Sequence, residues 1–479
     1  MLHFFKLGAP FCLSVMFLSL ILSPLAVAAT ASASSLTQMF QHPGLSAPHT
    51  GVHVLSLKTG QTLVDYHKST ALIPASNMKV LTSAAALTLL KPEFRFRTAV
   101  YAKAARQEVI NGDVYLKGFG DPELNDERLN TLAEELKYLG IRQVKGNVIV
   151  DDSFFDQQLE GAGWKKTYGS AAYSAKISAL SLNLNTVKVW VRPTAPGRPG
   201  QVELQPANDF FEVVNQTVTT QGRTSLKIVR TLTDGGKNRV VVTGQVSARV
   251  RPQAETINLD YPALYAGHAF KRMLQNAGIQ VQGRVVQGQL PAGTALLAET
   301  QSRPLNEIVA ELNKHSVNLI AENLLKFMGA TFEGAPGTAE KGAKVIRERF
   351  LEKEVGYRAP GLVIADGSGL SPLNRLTPEL LTQVLAYMHK RYDVSVDFVS
   401  SLAVSGVDGT LRTRLNAPGL KRRIRAKTGF INGVSSLSGY VYTDQGEVMV
   451  FSMLMNHYQN FAIARTLQDR LCTELVTYR

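Results

Sequence analysis

The feature that most limits what this chain can fold into is a change of hydrophobic period made twice along its length. Between residues 98 and 295, segments such as "NGDVYLKG", "GNVIVDD", "TVKVWVRP" and "NRVVVTGQVSARVRP" are rich in Val, Ile and Tyr and are punctuated by Gly, Pro, Asn and Asp. That pattern marks strands joined by turns. Two helical patches, at 127–139 and 262–277, interrupt it, so the interval reads as two nested β-rich units. From about residue 300 the helical period returns, predicting helices over 304–327, 337–354 and 377–388. Strands follow at 422–428, 436–443 and 447–455, then a last helix at 460–476. Near the other end, 52–57 and 62–66 alternate like a hairpin turning at Thr59-Gly60, and "IPASNMKVLTSAAAL" (73–87) reads as a buried helix. The early hairpin and the late strands can share one sheet. The chain then reads as one α/β domain, residues 29–97 and 296–479, split by the insertion 98–295. Consecutive independent domains are the alternative that periodicity leaves open.

The 479 residues give ample core for such a plan. Lys6 is followed by an uncharged stretch from Leu7 to Ala29, and Ala26-Val27-Ala28 offers a small-x-small cleavage site. This layout predicts export, with a signal peptide over 1–28 cut near Ala28. An uncleaved membrane anchor is the rival reading. Cleavage leaves Cys472 as the remaining cysteine, excluding an internal disulfide. An apolar stripe of Ile463, Leu467, Leu471 and Leu475 predicts a core position for that thiol. The net charge of +14 suits an anionic surface, with peripheral membrane association one form of it. Export argues against nucleic acid. The nine histidines show no metal-ligand spacing such as HExxH, so no metal and no organic cofactor is expected.

Three short motifs carry chemistry. Ser76 and Lys79 are three apart, hence neighbours on one helical face. A serine hydroxyl needs a base to act as nucleophile, and a lysine serves as one when desolvation lowers its pKa. Met78, Val80 and Leu81 supply apolar surroundings. The bland alternative is an N-cap serine beside a snorkelling lysine. In "LNKHSVNLIAEN", Ser316 and Asn318 stand two apart. A turn or strand would direct them the same way, to relay a proton and orient a lysine or substrate carbonyl; in a helix they would be mere caps. In "RIRAKTGFINGVSS", Lys427 and Thr428 can hold a carboxylate, and Gly429 allows close backbone approach. The N–H groups of Phe430 and Ser76 together could form an oxyanion hole. An edge strand with a protective lysine is the alternative.

Each motif alone is weak. The set S-x-x-K, S-x-N and K-T-G in this order, with 240 residues between Ser76 and Ser316, is specific. The sequence resembles the low-molecular-mass class C penicillin-binding proteins, the type-4 D-alanyl-D-alanine carboxypeptidases. "GFGDPEL", "GNVIVDDSFF", "ADGSGLSPLNRLTP" and "SGVDGTLRTRL" extend the likeness across the mature chain. The resemblance implies a penicillin-binding, serine β-lactamase-like α/β (α+β) fold, an antiparallel sheet flanked by helices and split by a β-rich insertion. It implies peptidoglycan stem peptides as substrate and β-lactam antibiotics as covalent inhibitors.

On that likeness Ser76 attacks the bond between two terminal D-alanines and Lys79 takes its proton. Ser316, bonded toward Lys427, passes a proton to the leaving D-alanine, Asn318 positions Lys79 and the substrate amide, and Lys427 and Thr428 hold the terminal carboxylate. The resemblance also implies an acidic residue in the insertion that binds a free amino group of a diamino acid. Asp151, in "VIVDDSFF", matches it best; an ordinary strand-end carboxylate is the alternative. Two departures stand out: the middle motif is SVN, and Phe430 follows K-T-G where relatives often carry a hydroxyl. The second bears on substrate preference and on endopeptidase action against cross-links. A serine β-lactamase and a non-catalytic wall-binding scaffold on the same fold are the competing readings.

Overall fold

The computed structural model describes residues 32–478 apart from 104 and 107; the leader expected over 1–28 lies outside the described residues. A six-stranded sheet anchors the body formed by both ends of the chain, in the order Ala403–Val404, Ile424–Ile431, Val434–Tyr442, Val448–Asn456, Thr50–Ser56, Thr62–Tyr66, with every neighbouring pair antiparallel. Strands from near both ends of the chain therefore meet in one sheet. Its middle strands, Val434–Tyr442 and Val448–Asn456, are buried almost without interruption because both faces are covered. Along Val448–Asn456, Met449, Phe451, Met453 and Met455 join one core cluster while Val450 and Leu454 join another. This is the two-residue alternation of a strand, hidden in sequence because neither face meets water.

One face packs against helix Phe461–Val476, where Cys472 is fully buried and burial pushes its thiol up to about 12. The other face carries a helical layer centred on Met78–Leu90, whose residues from Met78 to Thr88 are all buried. A helix buried all round is a core element. It packs against Leu305–His315, Asn318–Glu333 and Pro378–Lys390. The last of these starts at Pro378, and the Thr377 side chain caps it by accepting from Leu380 N at 3.0 Å.

The region between the two halves builds its own cores. A five-stranded mixed sheet runs Val285–Gln287, Val148–Asp151, Val114–Gly118, Arg97–Ala102, Ala295–Gln301. Helices Asp126–Tyr138 and Pro262–Asn276 cover it. A smaller all-β unit, residues 186–258, packs around Val187, Val189, Val240 and Val242. Among the described residues no helix is long and apolar enough to cross a membrane.

Candidate active site

Ser76 sits in a 3-10 turn, Ala75–Asn77, that leads directly into the central helix. Ala75 has φ +45°, a left-handed conformation that costs an alanine about 1–2 kcal/mol. The turn holds because it is tied to the sheet. Ser436 Oγ donates to Pro74 O at 2.7 Å, and Asn77 Nδ2 donates to Ser436 Oγ at 2.7 Å and to Lys427 O at 3.2 Å. Gly429 is required at this seam, since a Cβ there would lie 3.0 Å from both Ser76 N and Asn77 Nδ2 and would overlap Ser436 Oγ.

Lys79, one turn further along, is fully buried. Its Nζ lies 3.1 Å from Ser76 Oγ, 2.6 Å from Asn318 Oδ1 and 2.7 Å from Ser368 O. Burial lowers this amine to about 7, with Asp366 and Glu322 opposing the shift. At neutral pH the group is therefore poised between donor and acceptor.

Ser316 and Asn318 reach the same place through a break in what periodicity presents as one helix. Helix Leu305–His315 ends at Ser316, which is left-handed at φ +61°; Val317 is extended, and a new helix starts at Asn318. The break turns both side chains inward. Ser316 Oγ accepts from Lys427 Nζ at 3.0 Å. Asn318 Nδ2 donates to Tyr173 O at 2.8 Å, which fixes the amide so that its oxygen meets Lys79. Tyr173 belongs to the insertion, so that region helps set the catalytic geometry.

Lys427 lies on strand Ile424–Ile431, buried, and also donates to Thr428 O at 2.8 Å. Burial, and then the charge of Lys79, depress it well below the ordinary lysine value. Thr428 Oγ1 is half-buried, 2.9 Å from Thr410 Oγ1. The neighbouring strand Ala403–Val404 pairs only with Ala426 and Arg425. Beyond Ala426, the outer edge of the Lys427–Phe430 segment has no strand partner among the described residues. Such an edge can hydrogen-bond an extended peptide.

Ser76, Ser316 and Asn318 open into a cleft of ≈ 490 Å³ that Tyr173, Lys165 and Phe430, among others, also line, with Lys79 and Lys427 buried behind it. Phe430 is 59% exposed, and its ring meets Phe461 edge-on at 4.9 Å. Asp151 is not among the residues lining the cleft. It is fully buried and accepts from Lys117 Nζ at 2.7 Å, Ser153 N at 2.9 Å and Leu290 N at 2.7 Å. Its charge is thus neutralised inside the insertion, and the lysine of the cleft, Lys165, has no acidic neighbour in the lining.

Sequence reading missed a supporting layer. Glu322 is fully buried and accepts from Gly367 N at 3.0 Å and Ser368 N at 2.9 Å, so it fixes the carbonyl that holds Lys79. Burial, reinforced by the charge of Asp366, pushes Glu322 up to about 7. Asp366 holds the same loop through Gly369 N at 2.8 Å and Ser371 N at 2.6 Å. A lone acid in the apolar run "NLIAENLLKF" was the available signal. Because Glu322 raises the Lys79 pKa, Glu322→Gln should move the low-pH inflection of acylation to lower pH, read by stopped-flow with a reporter β-lactam. Among the described residues no cluster of three or more His, Cys, Asp or Glu is arranged to hold a metal ion.

Residues 32–473 match the D-Ala-D-Ala carboxypeptidase 3 (S13) family. A D-alanyl-D-alanine carboxypeptidase of Actinomadura sp. (strain R39) is 35% identical, with 94% of this chain and 86% of that one aligned. Penicillin binding protein 4 of Haemophilus influenzae superposes with a TM-score of 0.82 at 25% identity, covering 94% of this chain and all (100%) of the other. The same protein complexed with a β-lactam gives 0.76 at 26% identity, with the same coverage. With its hydroxyl, two buried amines and carboxamide converging on one cleft, and with a family match spanning nearly the whole described chain, this protein belongs to the D-Ala-D-Ala carboxypeptidase S13 family.

Proposed function

We propose that this enzyme removes the terminal D-alanine of peptidoglycan stem peptides through an ester on Ser76, acting outside the cytoplasm after loss of its leader. The observation that carries the reading is Lys79 Nζ, without solvent exposure, 3.1 Å from Ser76 Oγ. A neutral amine there can accept the hydroxyl proton as Oγ attacks the carbonyl carbon between the two D-alanines. The substrate lies along the uncovered edge of strand Ile424–Ile431, its terminal carboxylate on Thr428 and Lys427. Arrival of that carboxylate favours protonated Lys427, and the new cation nearby helps keep Lys79 neutral. Negative charge on the former carbonyl oxygen falls to the N–H groups of Ser76 and Phe430. The C–N bond breaks as the proton held by Lys79 passes through Ser316 Oγ to the leaving amine, and D-alanine departs with Lys79 neutral again. Water then attacks the ester, Lys79 taking its proton and returning it to Ser76 Oγ as the acyl C–O bond breaks, and Ser76 is restored. A cross-link is cut by the same steps with a longer leaving group.

The test is D-alanine release from a synthetic stem pentapeptide, run beside the lifetime of the penicillin adduct. The expected result is one D-alanine per peptide, with an adduct lasting minutes to hours. Rapid penicillin turnover without D-alanine release would identify a β-lactamase. Neither activity, with wall binding retained, would identify a scaffold.

A further inference from the structure

A second cavity of ≈ 630 Å³ lies wholly within the insertion and shares no lining residue with the catalytic cleft. Lys237, Lys271, Arg272 and Arg284 line it, against one carboxylate, Asp209. None of the four cations has an ion-pair partner within 4.0 Å among the described residues. Lys271 Nζ donates to Gly283 O at 2.7 Å and Arg272 Nη1 to Ala207 O at 3.3 Å, neutral acceptors that leave the charge uncompensated. Tyr261, left-handed at φ +55° and 41% exposed, also lines it. The sequence around it is equally biased. Residues 186–285 hold thirteen Lys and Arg against six Asp and Glu, a net +7 that is half of the chain's +14. Four cations converge here on one concavity, where fields of one sign are focused.

We infer that this cavity is a second binding site for the polymeric substrate, taking carboxylates of stem peptides further along the glycan strand while the cleft at Ser76 works on one peptide end. The inference rests on the peptidoglycan reading above. Arginine and lysine together suit carboxylates presented at variable spacing, Arg by paired N–H groups and Lys as a point charge. Such a site raises the local concentration of the enzyme on a polymer without touching the chemistry at Ser76, so it acts on KM for the polymer alone.

The test compares the full-length enzyme with a K237E/R272E/R284E variant; all three positions are exposed. Binding is measured by co-sedimentation with purified sacculi in a Ser76→Ala background, and kinetics with Ser76 intact. The expected result is about a tenfold loss of sacculus affinity and a matching rise in KM for the polymer, shrinking as salt rises. Hydrolysis of a short D-Ala-D-Ala peptide and the rate of penicillin acylation stay within about twofold, which shows the variant folded and the active site unchanged. Hydrofluoric acid treatment, which strips phosphodiester polymers, should leave wild-type binding intact; loss of binding would assign the cavity to those polymers and overturn the proposal. Equal sacculus affinity of variant and wild type would overturn it as well. Loss of short-peptide hydrolysis in the wild type itself would instead defeat the peptidoglycan reading.

Discussion

Ser76→Ala is expected to abolish the penicillin adduct, read by intact-mass measurement, and to lower D-alanine release by about ten-thousand-fold or more. The size follows from what the hydroxyl does. It is the one group in the cleft placed both beside a buried amine and at the head of the central helix, so no neighbour can substitute. Ser316 is another hydroxyl of the cleft, but it accepts from Lys427. Folding should be little affected, because Ser76 is only half-buried and the Ala75–Asn77 turn is held by Asn77 and Ser436. An unchanged melting temperature beside a lost adduct is therefore the expected pair of readings. An adduct that persists on another residue would remove Ser76 from its role.

The second large effect is at Lys79. Both Lys79→Arg and Lys79→Met are expected to slow acylation by about a hundred- to ten-thousand-fold, the range for loss of a general base. They fail for different reasons. Methionine has no basic atom, and it leaves Asn318 Oδ1 and Ser368 O without the Lys79 amine they now share. Arginine keeps those donors but holds its proton at any accessible pH, so it cannot accept one from Ser76. The arginine variant separates positioning from proton transfer. Should it retain near-normal acylation while methionine does not, Lys79 would be an orienting cation rather than a base. Stopped-flow acylation at pH 8 distinguishes the two outcomes.

The expected architecture, an antiparallel sheet flanked by helices in a fold shared with penicillin binding protein 4, was legible because its strands and helices differ in period. What periodicity misread is instructive. The run 304–327 looks like one helix, since Ile308, Leu312, Leu319 and Ile320 continue an apolar stripe through the break. No Gly or Pro marks the interruption; a serine in left-handed conformation does the work, at a position where helix continuation would have pointed Ser316 and Asn318 apart. The basic run at 421–427 looks uniform, yet its members have separate fates. Lys421 and Arg422 are exposed, Arg423 pairs with Asp444, and Lys427 is entirely buried. Charge density alone cannot separate them, because only the pleat of strand Ile424–Ile431 decides which face each one meets. The setting of Asp151 was hidden for the complementary reason: its half-buried partner Lys117 is 34 residues away in sequence and becomes adjacent only when two strands pair.

Glu322 and Asp366 were hidden because they act through backbone N–H groups of a loop rather than through side chains that form a spaced motif. Their contribution is opposite in sign to that of burial at Lys79. Burial drives the amine toward the neutral form, and the two carboxylates draw it back. On the proposed mechanism, the balance near neutrality allows one group to take a proton during acylation and return it afterwards.

The most direct measurement is the acylation rate constant of the wild-type enzyme with a reporter β-lactam across pH 5 to 10. On the proposed mechanism deprotonated Lys79 is the reactive form, so the rate should climb with pH through an inflection near the value of about 7 set by its burial, then level off. A rate independent of pH over that range, or one that rises only near the ordinary lysine value, would contradict Lys79 as the base that activates Ser76.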